Sequence, residues 1–149
     1  MNIRVLVEEG DFDVGAELGR LRTAASGAIV QFVGVMRDHN EGDAVRAMLL
    51  EHYPGMTEKS IEAIIHEAAS RWPLLATTVI HRVGALQPGD QIVLVAVSST
   101  HRHAAFAACE FIMDFLKTRA PFWKKEELVD GRSRWVDARH SDDAAAERW

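Results

Sequence analysis

The sequence predicts an α+β domain in which helices cover one face of a mainly antiparallel sheet. Three observations carry that expectation. Strand-like runs of branched residues alternate with stretches of helical apolar spacing. Their order is strand, strand, helix, twice over. The four prolines fall between these segments, and no linker, repeat or low-complexity tract interrupts them, so residues 1–149 read as one domain.

Asn2 to Val7 alternates and predicts a short strand. Asp13 supplies an N-cap for a helix to about Arg22, with Val14, Leu18 and Leu21 on one face. Gly27 to Val35 (GAIVQFVGV) is rich in branched residues and predicts a strand. Arg37 to Asp43 reads as a polar loop and Ala44 to His52 as a second strand, so the two strands are expected to pair as a hairpin with a long tip. Tyr53-Pro54-Gly55-Met56 is a turn. Thr57 is the expected N-cap of the next helix, in which Ile61, Ile64, Ile65, Ala68 and Trp72 recur at helical spacing until Pro73. Thr77 to Val83 predicts a strand and LQPGD, from Leu86, a turn. Gln91 to Val97 (QIVLVAV) is an almost unbroken apolar strand, expected at the centre of its sheet. Ser98, Ser99 and Thr100 offer caps for a long helix, about His101 to Lys117, with Phe106, Cys109, Ile112, Met113 and Leu116 as its inner stripe. Pro121 ends it, and from Lys124 onward only Arg134-Trp135-Val136 is strand-like.

Composition narrows the function classes. A chain of 149 residues that is 48% hydrophobic can bury a real core, which excludes a disordered, collagen-like or coiled-coil protein. A formal charge of -5 argues against a general nucleic-acid binder. No apolar run reaches about 18 residues, so no membrane span is expected. The N-terminal MNIRVLVEEGDFDV carries acids where an export signal carries an apolar stretch. Cys109 is the single cysteine, so no intrachain disulfide forms and a reducing, cytoplasmic setting is expected.

Charge is unevenly placed. His101 to Lys125 holds Arg102, Lys117, Arg119, Lys124 and Lys125 against Glu110 and Asp114. Such a basic segment in an acidic protein suits an anionic partner, or else is a solvated helix face. His101, Arg102 and His103 fall in the first turn of the predicted helix, where the dipole already disfavours cations. Together with the free N–H groups they offer a phosphate or carboxylate site, unless they simply point to solvent. No carboxylate or thiol lies at ligand spacing beside these histidines, so no metal site is expected. His52, His66 and His81 read as surface or satisfied core residues. Lys117 complements a helix C-terminus. Lys124 follows the stiff Ala120-Pro121-Phe122-Trp123, and a proline turn lets the two lysines converge on one pocket, where crowding and desolvation would activate them. Without such a pocket they are ordinary surface lysines. Cys109 sits in the apolar stripe and reads as buried filler rather than a reactive thiol.

Longer strings carry a resemblance. VGVMRDHNEGD around Arg37, LEHYPGMTEKSI from Leu50, VIHRVGALQPGD from Val79, THRHAAF from Thr100, FIMDFLKTRAPFWKKE from Phe111 and RWVDAR from Arg134 are similar to the large, catalytic subunit family of molybdopterin synthase, over Gly27 to Trp149. The resemblance implies an α/β hammerhead with an additional antiparallel β subdomain. It implies an enzyme that converts cyclic pyranopterin monophosphate into molybdopterin by transferring two sulfurs. The sulfur donor is the C-terminal Gly-Gly thiocarboxylate of a small ubiquitin-like subunit. Two large subunits form the central homodimer of a heterotetramer, with neither metal nor organic cofactor in the step. By the same resemblance, Lys117 and Lys124 are catalytic. The substrate contacts fall on Val35, Met36, Arg37, His101, Arg102, Lys117, Lys124, Lys125 and Glu126, with Arg139 reaching in from the neighbouring subunit. Many relatives carry lysine where this chain has Met36, so one positive charge is absent there. A non-catalytic module holding a carboxylate tail or nucleotide, and a single-strand nucleic-acid binder built on Phe122 and Trp123, are the rival classes.

Overall fold

The computed structural model describes residues 1–136 and 140–149. Its elements are β1 (Asn2–Glu8), α1 (Val14–Leu21), β2 (Ala28–Val35), β3 (His39–Asn40), β4 (Asp43–His52), α2 (Met56–Arg71), β5 (Ala76–Arg82), β6 (Gly84–Leu86), β7 (Gln91–Ser99), α3 (Arg102–Leu116), β8 (Phe122–Leu128), β9 (Ser133–Val136) and α4 (His140–Glu147).

The strands form two sheets. The first runs β1-β5-β7-β2, with β1 parallel to β5 and the other pairs antiparallel. The second is antiparallel throughout and runs β3-β4-β8-β9, with β6 also paired to β4. The expected hairpin between β2 and β4 does not form. β2 pairs with β7, its register slips between Gly34 and Val35, and the chain then leaves the first sheet to enter the second. The central position expected for β7 is observed, and both of its faces are covered. Val93, Val95 and Val97 pack on one side with Val79, Ile61, Ile64, Ile65, Phe111 and Ile112. Leu94 and Ala96 pack on the other with Ile80, Phe12 and Leu21. Helices therefore lie on both faces of this sheet, α2 and α3 on one and α1 on the other, rather than on one face only. A two-sided burial is what an unbroken apolar strand requires.

Local chemistry explains the element ends. The Asp13 side chain accepts from the Ala16 N–H and caps α1. For α2 the cap is Gly55, at φ 85°, not Thr57. The Gly55 N–H donates to the Glu58 carboxylate. Thr57 is used otherwise: its hydroxyl accepts from the Tyr53 N–H and donates to the Pro121 carbonyl, fastening α2 to the segment after α3. Ser98 and Ser99 do not cap α3 either, because they are still strand. Ser98 bonds Ser26, and Ser99 donates to the Pro73 carbonyl. His101 occupies the N-cap with no side-chain cap bond. Phe106, expected in the inner stripe, is 62% exposed. At 3.6 residues per turn it lies about 100° round the helix from buried Ala105. The inner face is instead Ala105, Ala108, Cys109, Phe111, Ile112, Phe115 and Leu116. Gly27 is needed where β2 passes the start of α3, since a Cβ there would stand 1.9 Å from the Thr100 carbonyl oxygen.

The second sheet turns its inward side chains onto a smaller core of Met36, Val45, Met48, Leu50, Val83, Leu86 and Leu128. Between this core and the C-terminal end of α3 the two sheets leave a cleft. Among the described residues, no helix is long and apolar enough to cross a membrane.

Candidate active site

The cleft holds a cavity of about 370 Å³. Its walls come from segments far apart in sequence. Val35, Met36 and Arg37 arrive where β2 ends, His39 and Asn40 on β3, Lys117 at the C-cap of α3, and Phe122, Lys124 and Glu126 along β8. Alternation along β8 decides which of its residues take part. Phe122, Lys124, Glu126 and Leu128 face inward, whereas Trp123, Lys125 and Glu127 face out.

Six of the expected site residues thus line one cavity: Val35, Met36, Arg37, Lys117, Lys124 and Glu126. Met36, which stands where many relatives carry lysine, is buried and lines the cavity. Lys125 does not join them. It stands on the outer face of β8, across from Leu49 and Trp135, with its Nζ 5.8 Å from the Trp135 ring centroid. His101 and Arg102 do not join them either. They are exposed at the start of α3, while Lys117 closes its other end. Fifteen helical residues place those ends about 22 Å apart. Arg139 lies outside the described residues.

The cavity is cationic in its balance. Arg37, Lys117 and Lys124 face Glu126 and Asp142, and Glu126 is already engaged. The buried Glu126 carboxylate accepts from Asn40 Nδ2 at 3.0 and 3.1 Å and from Arg134 Nε at 3.1 Å. Three cations against two carboxylates on a part-apolar wall suit an anionic ligand.

His81 was read as a surface or core histidine, yet it forms part of the cavity wall. Its ring stacks on Phe122 with centroids 3.8 Å apart. Its Nδ1 lies 2.7 Å from the Arg82 carbonyl oxygen, which can only accept, so Nδ1 carries the proton and Nε2 is the acceptor. Burial, reinforced by the positive charges of Lys117 and His52, pushes its pKa down to about 4. The imidazole is therefore neutral near pH 7. Neither its local pattern nor the resemblance marked it as a site residue. Asn40 and Arg134 were equally silent as single residues.

A second cavity of about 240 Å³ adjoins the first and shares Val35, His81, Ile92, Leu116 and Lys117 with it. Its remaining walls are Phe32, Val33, Gly34, Val93 and Met113. Gly34 keeps it open without a side chain, and a Cβ there would stand 2.7 Å from Val93 Cγ1. Lys117 sits where the two cavities meet.

Cys109 lines neither cavity. It is buried, its thiol donates to the Val95 carbonyl at 3.7 Å, and burial pushes its pKa up to about 12, which suits the filler role. Among the described residues, no three His, Cys, Asp or Glu are grouped to hold a metal ion.

Comparison with known proteins bears on this site. The family model described as MoaE protein matches residues 7–119. The molybdopterin synthase catalytic subunit of Vibrio cholerae is 59% identical over 150 residues, spanning 100% of this chain and 99% of its own length. The solved molybdopterin biosynthesis MoaE protein from Burkholderia ambifaria shares the fold with a TM-score of 0.84 at 54% identity, over 100% of this chain and 98% of that one. Molybdopterin synthase from Staphylococcus aureus matches with a TM-score of 0.83 at 33% identity, over 89% and 96% of the two chains. The full-length matches include the first 26 residues, which the sequence motifs leave outside the resemblance.

Proposed function

The chain belongs to the MoaE protein family, and from that premise we propose that it is the catalytic subunit of a molybdopterin synthase. It converts cyclic pyranopterin monophosphate to molybdopterin, with two sulfurs delivered by the C-terminal thiocarboxylate of a small ubiquitin-like subunit. The observation that carries this reading is the convergence of Arg37, Lys117 and Lys124 on one cavity whose buried carboxylate, Glu126, is held by Arg134 and Asn40. The substrate is an anion through its cyclic phosphate, and such a wall binds it by charge-assisted hydrogen bonds.

The adjoining cavity, walled by Phe32, Val33, Gly34, Val93 and Met113 beyond the residues it shares, suits an extended tail ending in two glycines, which brings backbone and no side chains. A tail seated there brings its thiocarboxylate to Lys117, at the junction with the substrate cavity. Sulfur attack forms a C–S bond at a side-chain carbon of the substrate as a C–O bond there breaks, and water then cleaves the acyl–sulfur bond, leaving the sulfur on the substrate and the tail as a carboxylate; both steps develop negative charge on oxygen. Lys117 and Lys124 stabilise that charge and exchange protons with it. His81, neutral and fixed by the Arg82 carbonyl, adds an acceptor beside Lys117 without adding positive charge. No metal or organic cofactor enters this scheme.

His101 and Arg102 stand too far from Lys117 to serve the same cavity, so we assign them to the cavity of a second copy of the chain. Arg139 is assigned to that second cavity as well. The enzyme is then a homodimer of this subunit with a small subunit for each site, working in the cytoplasm.

The test is reconstitution with a thiocarboxylated small subunit and cyclic pyranopterin monophosphate, with molybdopterin read as its fluorescent oxidised derivative. Wild type forms product. Lys117→Ala and Lys124→Ala each lose it by on the order of a hundredfold or more while the circular dichroism and melting curve are kept. A folded wild type that binds the small subunit and forms no product would overturn the assignment.

A further inference from the structure

A tail of glycines brings no side chains, so a cavity that holds it must recognise main chain. Of the described residues that line the second cavity, only His81 and Lys117 have polar side chains, the one with an acceptor and the other a donor. The other side chains are hydrocarbon, the Met113 thioether or, at Gly34, absent, and any further polar surface is main chain. His81 and Lys117 line the first cavity too, so both stand at the junction. They are close enough for the Lys117 charge to act on the ring. The ring itself is held by strand, stack and hydrogen bond. β5 runs between β1 and β7, with His81 opposite Val7 and Val93. Phe122 stacks on one face, and Nδ1–H is tied to the Arg82 carbonyl. That leaves Nε2 as an acceptor whose direction is set in advance. Among the described residues nothing donates to Nε2, and it is not sealed from solvent. Burial and the positive charges of Lys117 and His52 keep the ring neutral near pH 7, so its lone pair is not lost to a proton. A fixed acceptor beside a cation suits a ligand that brings a donor and an anion close together.

The last glycine of a chain is such a ligand, because a single Cα separates its peptide N–H from its terminal carbon. We propose that His81 is a positioning residue for the tail: Nε2 accepts from the N–H of the last glycine while Lys117 holds the terminal anion, so that the sulfur meets the first cavity in one orientation. This rests on reading the second cavity as the seat of the tail. The pair reads main chain alone, which is all that a glycine end offers. The ring stack on Phe122 joins this contact to the wall of the first cavity, so the tail is aligned against a surface that the substrate shares.

The test uses the small subunit with an ordinary terminal carboxylate, which binds without reacting, and a semisynthetic form whose last residue is N-methylglycine, which lacks that N–H. Calorimetry gives the affinity of each for wild type and for His81→Phe, which keeps a ring against Phe122 and loses the acceptor. His81→Phe weakens binding of the ordinary tail about three- to tenfold. The N-methyl group costs wild type about three- to tenfold more than it costs His81→Phe, because the variant has no acceptor left to lose. In the product assay the KM for the thiocarboxylated subunit rises by a similar factor and kcat falls by less. His81→Gln restores an acceptor without the ring, falls between the two, and serves if His81→Phe does not fold. Equal N-methyl costs in wild type and a folded variant, or an affinity that both substitutions leave unchanged, would overturn the proposal. A wild type that binds the small subunit but forms no product would instead count against the assigned reaction, and the binding cycle, which involves no turnover, would still decide the role of His81. A wild type that does not bind it would overturn both.

Discussion

His81 makes the fold sensitive to acid. Its pKa is about 4 in the folded chain against an ordinary value of 6.5. Above pH 6.5 the ring is neutral in both folded and unfolded states and costs nothing. As pH falls from 6.5 towards 4, the unfolded chain takes up a proton that the folded chain refuses, so stability is lost across that window. The gap is worth roughly 3 kcal/mol at its full extent. Urea titrations at pH 7, 5.5 and 4.5 are expected to show this loss in the wild type and a flatter slope in His81→Phe. The same titrations on a variant whose slope matches wild type would assign the acid sensitivity elsewhere. Residue chemistry also decides what the site is not. The thiol of Cys109, buried and reluctant to ionise, leaves sulfur to be supplied from outside the chain.

At the scale of elements, the β3–β4 hairpin shows a strained turn in a useful place. Asn40 pairs with Asp43 across Glu41 and Gly42, whose φ values are 50° and 82°, the two left-handed positions of a type I′ turn. Glycine suits the second, but glutamate is a poor occupant of the first. Glu41→Asn is expected to raise stability by about 1 kcal/mol, read as a higher melting temperature with the product assay unchanged. Legibility in the sequence followed the same logic of faces. α1, α2 and β7 declared themselves because each buries an apolar stripe, or two, at its own period. β8 did not, because two of its four inward positions, Lys124 and Glu126, face a polar cavity and break the apolar alternation that marks a strand. β6 has three residues, too few to show a period, and α4 (HSDDAAAE) offers only alanines as an apolar face. The β2–β4 hairpin was a reasonable local expectation defeated by distant partners: β7 needed a second neighbour, and β2 took that place. In the site, the convergence of Lys117 and Lys124 was legible from the proline turn between them. The pairing of Arg134 with Glu126 depends on a strand register that no local pattern reveals.

At the scale of the whole molecule, the proposed assignment of His101 and Arg102 to the cavity of a second copy makes each site the work of two chains. Lys117→Ala spoils the cavity end of α3 and a His101→Ala/Arg102→Ala variant spoils the other. Mixed in equal amounts with exchange of subunits, half of the dimers are hybrid, and each hybrid carries one site with both wild-type ends. About a quarter of wild-type activity is expected to return from two inactive preparations. No recovery after demonstrated subunit exchange would place each site within a single copy. The long helix gives this arrangement its tolerance. α3 is packed along its inner face from Ala104 to Leu116, so it behaves as a rod, with Lys117 at one tip and His101 and Arg102 at the other. It works as a gauge block: the number of residues between its tips, not any adjustable contact, sets the span between two neighbouring workplaces. Four residues spliced into its middle would lengthen it by about 6 Å and rotate one tip by about 40° against the other. Such a chain could keep every side chain of the reaction and still be cut to the wrong measure.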